Sequence, residues 1–180
     1  MATAAKPMTA EEFLAVSTEG DRMHLIAGEA VVNEPTREHQ RIQARLLAAL
    51  VAWCDAAPRR GEALGPIDVR VGDRDVYGPD LSYFRPDRLS EPLPDLCAEI
   101  RSPGTWRFDV GRKKAMYEAA GLPELWLVDD AAQTVLVFRR SAPEAPGFDV
   151  ALELAGEDVL GSPLLPGFSL PVRGLFAAAR

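Results

Sequence analysis

Metal-binding and redox side chains are scarce in this sequence. Its 180 residues contain two histidines and two cysteines, with no CxxC or HxxxH spacing, so a zinc site has almost no ligands to draw on. Cys54 and Cys97 make no disulfide framework; each lies in an apolar pattern and reads as a small buried hydrophobe. No apolar run approaches the roughly 20 residues that a membrane-spanning helix needs. The opening stretch, MATAAKPMTAEEF, reaches its acidic residues without the apolar segment of a secretory leader. A membrane is therefore not an expected partner, and the cytoplasm is the expected compartment. Positive charge is also short: Lys and Arg total 20 against 27 Asp and Glu, a net charge of −7. That argues against a protein holding nucleic acid through a broad basic surface, because phosphate neutralisation dominates such binding. It leaves room for an enzyme that gathers acids around a metal and meets nucleic acid transiently.

What is present is an ordinary globular composition, 47% apolar, long enough for one domain over 1–180 with a flexible start at 1–8. Thr9 with Glu12 three residues on forms a capping box and starts a short helix. Residues 23–26 and 29–33 flank Ala27-Gly28 as a hairpin. Over 36–55 the apolar residues Ile42, Leu46, Ala49, Leu50 and Trp53 recur at helical spacing, with His39 on the same stripe. Strands are expected at 67–71, at 76–84 broken by Gly78-Pro79, and at 96–100, where the apolar run reads as a central strand. A helix over 108–120 closes at Gly121 with Pro123 beyond. Strands at 125–129 and 134–139 form a hairpin, 148–154 adds an edge, and the Gly- and Pro-containing tail from 160 packs irregularly over the core. The fold class is α+β, with helices around a central mixed sheet.

The informative feature is acid where a core strand should be apolar. Glu99 interrupts Leu96-Cys97-Ala98-x-Ile100, and an ionised carboxylate buried there costs several kcal/mol unless it is paired or holds a cation. By period two, Cys97, Glu99 and Arg101 share one face of the strand, so a simple Glu99–Arg101 ion pair is one reading. Asp80 enters a strand after Gly78-Pro79 and is either a turn residue or a second acid beside Glu99. Two acids on neighbouring strands suit Mg²⁺, which usually takes one or two carboxylates and keeps several waters. On the following helix Asp109, Lys113, Met116, Tyr117 and Ala120 share a face. Lys113 then points to the sheet while Lys114 is turned about 100° away. An i, i+4 pairing of Lys113 with Asp109 is the alternative.

Taken in order, Pro79-Asp80, Leu96-Cys97-Ala98-Glu99-Ile100-Arg101-Ser102-Pro103-Gly104-Thr105, Asp109-x-x-x-Lys113-x-x-x-Tyr117 and Ala120-Gly121-Leu122-Pro123-Glu124-Leu125-Trp126-Leu127-Val128-Asp129 resemble the bacterial Uma family. That family belongs to the restriction-endonuclease-like PD-(D/E)xK superfamily. The resemblance extends to Leu25-Ile26-Ala27-Gly28-Glu29, His39 and Ser162-Pro163-Leu164-Leu165-Pro166-Gly167-Phe168, and so covers nearly the whole chain.

The resemblance implies a restriction-endonuclease-like fold, a mixed sheet flanked by helices, with the site where two central strands splay. It implies Asp80 and Glu99 as the motif's acids. The superfamily's lysine position holds Arg101 here, and Lys113 on the next helix takes the lysine's place. His24 stands where members often carry an acid. The implied activity is Mg²⁺-dependent phosphodiester hydrolysis, Mn²⁺ being an alternative ion. Asp80, Glu99 and the backbone carbonyl of Ile100 would hold the ion, Lys113 would orient water or offset transition-state charge, and His39, Arg101 and Tyr117 would support the site. Arg101, Arg107 and Arg112 offer phosphate contacts. The expected partner is nucleic acid, DNA before RNA, with a homodimer compatible. The rival reading is a catalytically degenerate module with a structural, regulatory or assembly role.

Overall fold

The computed structural model describes residues 7–17 and 23–177; most of the start expected to be flexible, 1–6, lies outside the described residues. Helix α1 (Ala10–Val16) carries the expected capping box: Thr9 accepts from the Glu12 amide while the Glu12 carboxylate accepts from the Thr9 amide. Its buried face, Ala10 and Phe13, packs on Leu25 and Val76. Strands β1 (Met23–Ile26) and β2 (Glu29–Val32) are joined by Ala27 and Gly28, both at positive φ (54° and 82°). Two such residues in sequence match the right-handed twist of a hairpin.

Helix α2 (Arg37–Asp55) starts at Thr36, whose hydroxyl accepts from the His39 amide, and buries His39, Ile42, Leu46, Leu50 and Cys54. The chain continues through β3 (Glu62–Leu64), β4 (Val69–Gly72), β5 (Asp75–Tyr77), β6 (Leu81–Phe84) and β7 (Leu96–Ile100). A helical segment follows: α3 (Trp106–Phe108), a π-helical turn (Asp109–Lys113) and α4 (Lys114–Ala119). Then come β8 (Glu124–Asp129), β9 (Thr134–Arg139), β10 (Val150–Ala155), β11 (Val159–Leu160), β12 (Leu170–Pro171) and α5 (Val172–Phe176).

The main sheet has the order β10-β9-β8-β7-β6-β3, parallel only between β7 and β8. That parallel pair requires a crossover, which the helical segment supplies, and β7 is buried along its whole length. Leu96, Ala98 and Ile100 pack with α2 and the tail residues Leu165, Phe168, Val172 and Leu175. Cys97 faces the other way, with Leu125 and Leu127, onto Tyr117 and Leu122 and onto Ile26, Val69 and Tyr77 of a second sheet, β2-β1-β5-β4. Gly78 and Pro79 carry the chain from β5 in the second sheet to β6 in the first, so Asp80 lies at the junction of the two.

Three elements differ from expectation. The helix begins earlier than residue 108 and is interrupted by the π turn. Strand β3 is too short to show periodicity, and pairing with β6 (Ala63↔Tyr83) creates it. The tail is partly regular, an antiparallel β11–β12 ribbon followed by α5, because Leu160, Val172 and Leu175 must all be buried. Cys54 and Cys97 are free and buried, as expected. Among the described residues no helix is long and apolar enough to cross a membrane.

Candidate active site

The β6–β7 register sets the first two acids. Leu81 pairs with Ala98 and Ser82 with Cys97, so one step further along, Asp80 falls opposite Glu99. Asp80 is not a free turn residue. Its Oδ2 accepts from the Ile100 amide at 2.7 Å, its Oδ1 faces His39 Nε2 at 2.9 Å, and its own carbonyl accepts from Gln43 at 2.9 Å. His39 and Gln43 lie one turn apart on α2, so the first turns of that helix grip Asp80 from two sides. His39 Nδ1 is 3.2 Å from the Arg101 carbonyl. Both ring nitrogens therefore face acceptors, an arrangement that favours a doubly protonated ring. Burial opposes that charge, but the hydrogen bond and charge of Asp80 outweigh it and raise the His39 pKa.

Glu99 sits inside the protein. Its Oε1 accepts from the Tyr117 hydroxyl at 2.9 Å and lies 3.3 Å from Lys113 Nζ. Burial pushes its pKa up to about 8; Lys113 pulls the other way, while Asp109 and Asp80 push with burial. The simple pairing of Glu99 with Arg101 is not made. Arg101 instead meets both oxygens of Asp129 at 3.0 Å and lies over the Trp106 ring. Only its backbone reaches the site, through His39.

Lys113 is 1% exposed and points to the sheet, whereas Lys114 lies half-buried over Phe138. Its ammonium is 2.8 Å from Asp109 and 5.6 Å from the centre of the Tyr77 ring. The Asp109 pairing and the Glu99 contact therefore coexist. Burial works to lower the Lys113 pKa, but the charges of Glu99 and Asp109 raise it overall. Tyr117 is fully buried and its hydroxyl is pushed well above its ordinary value, so it acts as a donor toward Glu99.

The structure thus brings Asp80, Glu99, Lys113, His39 and Tyr117 together, with Arg101 contributing its carbonyl. Asp109, singled out in the sequence only as a partner of Lys113, joins them, and Gln43 and Asp75 were not singled out. Asp109 is held by Thr105 at 3.1 Å, and Thr105 is tied through Ser102 to Asn33. Asp75 accepts from Arg112, Tyr77 and the Ala27 amide, which locks the π turn to the second sheet. Gln43 carried a readable signal, its i, i+4 spacing from His39; Asp75, inside a polar turn sequence, carried none.

Three carboxyl groups, Asp80, Glu99 and Asp109, here face two basic side chains, Lys113 and His39, and burial holds the proton on Glu99 more tightly than usual. No group of three or more His, Cys, Asp and Glu suited to a metal occurs among the described residues. The available donors are two carboxylates, Asp80 and Glu99, with the Ile100 backbone beside them. That set fits a hard cation such as Mg²⁺, which takes one or two carboxylates and retains water.

Comparison with known proteins agrees with this architecture. Among solved structures the chain is similar to a protein from Anabaena variabilis ATCC 29413 described as "a putative nuclease belonging to DUF820". The two share 22% identity over 94% of this chain and 98% of that one, with a TM-score of 0.79, which shows a common fold. No curated protein matches. Residues 10–173 match the Uma2 family, described as "Putative restriction endonuclease", and the chain, with its mixed sheet flanked by helices, belongs to that family.

Proposed function

We propose that this protein is a Mg²⁺-dependent endonuclease, able to use Mn²⁺, that hydrolyses phosphodiester bonds of transiently bound DNA. The observation that carries the reading is Glu99, a carboxylate 2% exposed in a central strand, beside Asp80 and within reach of a buried lysine. A carboxylate so placed costs several kcal/mol, roughly, unless positive charge meets it, and the cation bonded to it, Lys113, is shared with Asp109.

Asp80, Glu99 and the Ile100 carbonyl would hold the ion. When bound, a divalent ion supplies Lewis acidity toward the phosphoryl group and toward water. Lys113 orients the attacking water and offsets negative charge that develops on the phosphoryl oxygens. Tyr117 fixes the orientation of Glu99, and His39, anchored on the Arg101 carbonyl, fixes that of Asp80. Plasmid nicking with Mg²⁺ tests these roles. Wild type is expected to cut, and Asp80→Ala and Glu99→Ala to lose at least ~100-fold in rate. Undiminished cutting by both variants would overturn the assignment.

One observation favours the degenerate-module reading: both Asp80 oxygens already accept hydrogen bonds from the protein. Each carboxylate oxygen has a second lone pair to offer, so the nuclease reading stands ahead. Calorimetric titration with Mg²⁺ and Mn²⁺ separates the two, since heat lost in Glu99→Ala supports the nuclease and no heat in wild type supports the module.

A further inference from the structure

We propose that His24 binds the substrate, donating its Nε2–H to a nonbridging oxygen of the phosphodiester; this rests on the nuclease reading above. His24 occupies β1 and is 2% exposed. By strand alternation it shares a side with Ile26, which packs toward β7 and Tyr117, whereas Leu25 packs toward α1. The imidazole therefore faces the site side of the second sheet.

Its protonation state follows from one contact. The Gly78 amide donates to His24 Nδ1 at 3.0 Å, which occupies that nitrogen's lone pair. In the neutral ring the hydrogen then sits on Nε2. Burial, reinforced by the charge of Lys113, lowers the pKa to about 3, so the ring is neutral at ordinary pH. Nε2 is nevertheless buried with no hydrogen-bond partner among the described residues. Buried donors are rarely left so, and one that is calls for an explanation such as a water or a ligand.

The position of this donor points to the ligand. Gly78 is two residues ahead of Asp80, and the Tyr77 ring beside it lies under the Lys113 ammonium. β1 and β5 run antiparallel with Leu25 opposite Val76, so His24 falls opposite Tyr77. With Nδ1 occupied and a hydrogen on Nε2, the ring has no lone pair for a metal. What it can take is an acceptor, and the acceptor next to a lysine and a two-carboxylate cation site is a phosphate oxygen.

His24→Asn keeps an acceptor near the place of Nδ1 and removes the distal donor; His24→Gln can return an N–H to that place. A hydrogen bond to a charged oxygen corresponds to about a 10- to 100-fold loss of kcat/KM in His24→Asn, with most of it recovered in His24→Gln. Equal kcat/KM in His24→Asn and wild type would overturn the proposal. Imidazole ¹⁵N NMR of wild type is the second readout, independent of turnover and of variant folding. The Nε2 signal should move when a nuclease-resistant phosphorothioate duplex is added with Mg²⁺. A signal unmoved by the duplex, as for a donor satisfied by a trapped water, would also overturn it. If wild type fails to cut yet the signal moves, the nuclease reading falls and the His24 contact survives.

Discussion

Glu124 opens β8 inside the protein, accepting from Trp126 Nε1 and from the Ser162 hydroxyl, each at 2.6 Å. It thereby ties the tail to the main sheet. Burial raises its pKa in spite of these two bonds. A carboxyl that holds its proton more tightly folded than unfolded favours the folded state in acid. That contribution is complete below the ordinary carboxyl value and is lost as pH rises through the raised one. Glu124→Gln keeps an acceptor for Trp126 and a polar partner for Ser162 without the charge. It should melt above wild type near pH 7, with the gap closing near pH 4; thermal melts across that range check it, and a gap that widens in acid would contradict the burial argument. Glu99 was legible as a chemical residue because it breaks an apolar strand, whereas Glu124 was not, since it stands at a strand's edge in the sequence and only the Ser162 loop closes over it. Asp109 was legible as a partner of Lys113, but its burial depends on Thr105, Ser102 and Asn33, residues whose meeting no local pattern announces.

The π turn sets where Lys113 points. Such a turn is one residue wider than an α-helical one and recurs at functional sites. Here Asp109 and Lys113 both face inward while Arg112 reaches back to Asp75. Gly111 lies within the turn, exposed, and a Cβ there would meet nothing within 4 Å. Deleting Gly111 should restore an α-helical turn and rotate Asp109 and the preceding residues by about 100° relative to α4. Far-UV circular dichroism is expected to keep its helical signal while plasmid cleavage falls to background. Gly111→Ala, which preserves the register, should cleave like wild type. Cleavage retained by the deletion would show that the π turn does not position the lysine. The stripe from Asp109 to Ala120 revealed the helix, and Gly121 revealed its end. Gly121 has φ +89°, and the amides of Gly121 and Leu122 donate to Glu118 and Tyr117, the bonds of a Schellman cap. The π turn was hidden because a four-residue spacing from Asp109 to Lys113 suits either helix. Strand β3 was hidden because it exists only through its pairing with β6.

Charge on the whole molecule bears on how a chain of net charge −7 meets a polyanion. The arginines expected at phosphates are mostly engaged with acids: Arg101 with Asp129 and Arg112 with Asp75. Arg107, stacked on Phe108, is the one of the three without a carboxylate partner among the described residues. The composition showed the acidic excess; which arginines remained available required the tertiary pairs, because Asp75 and Asp129 lie 37 and 28 residues from their partners. Few phosphates can then be neutralised on binding. The logarithm of the association constant for duplex DNA should fall with the logarithm of salt at a slope of only about −1 to −2, since each neutralised phosphate contributes roughly −0.9. Fluorescence anisotropy with a labelled duplex, over about 50 to 200 mM salt, measures that slope. A slope steeper than about −5 would require a continuous basic surface and would contradict transient engagement through the site alone.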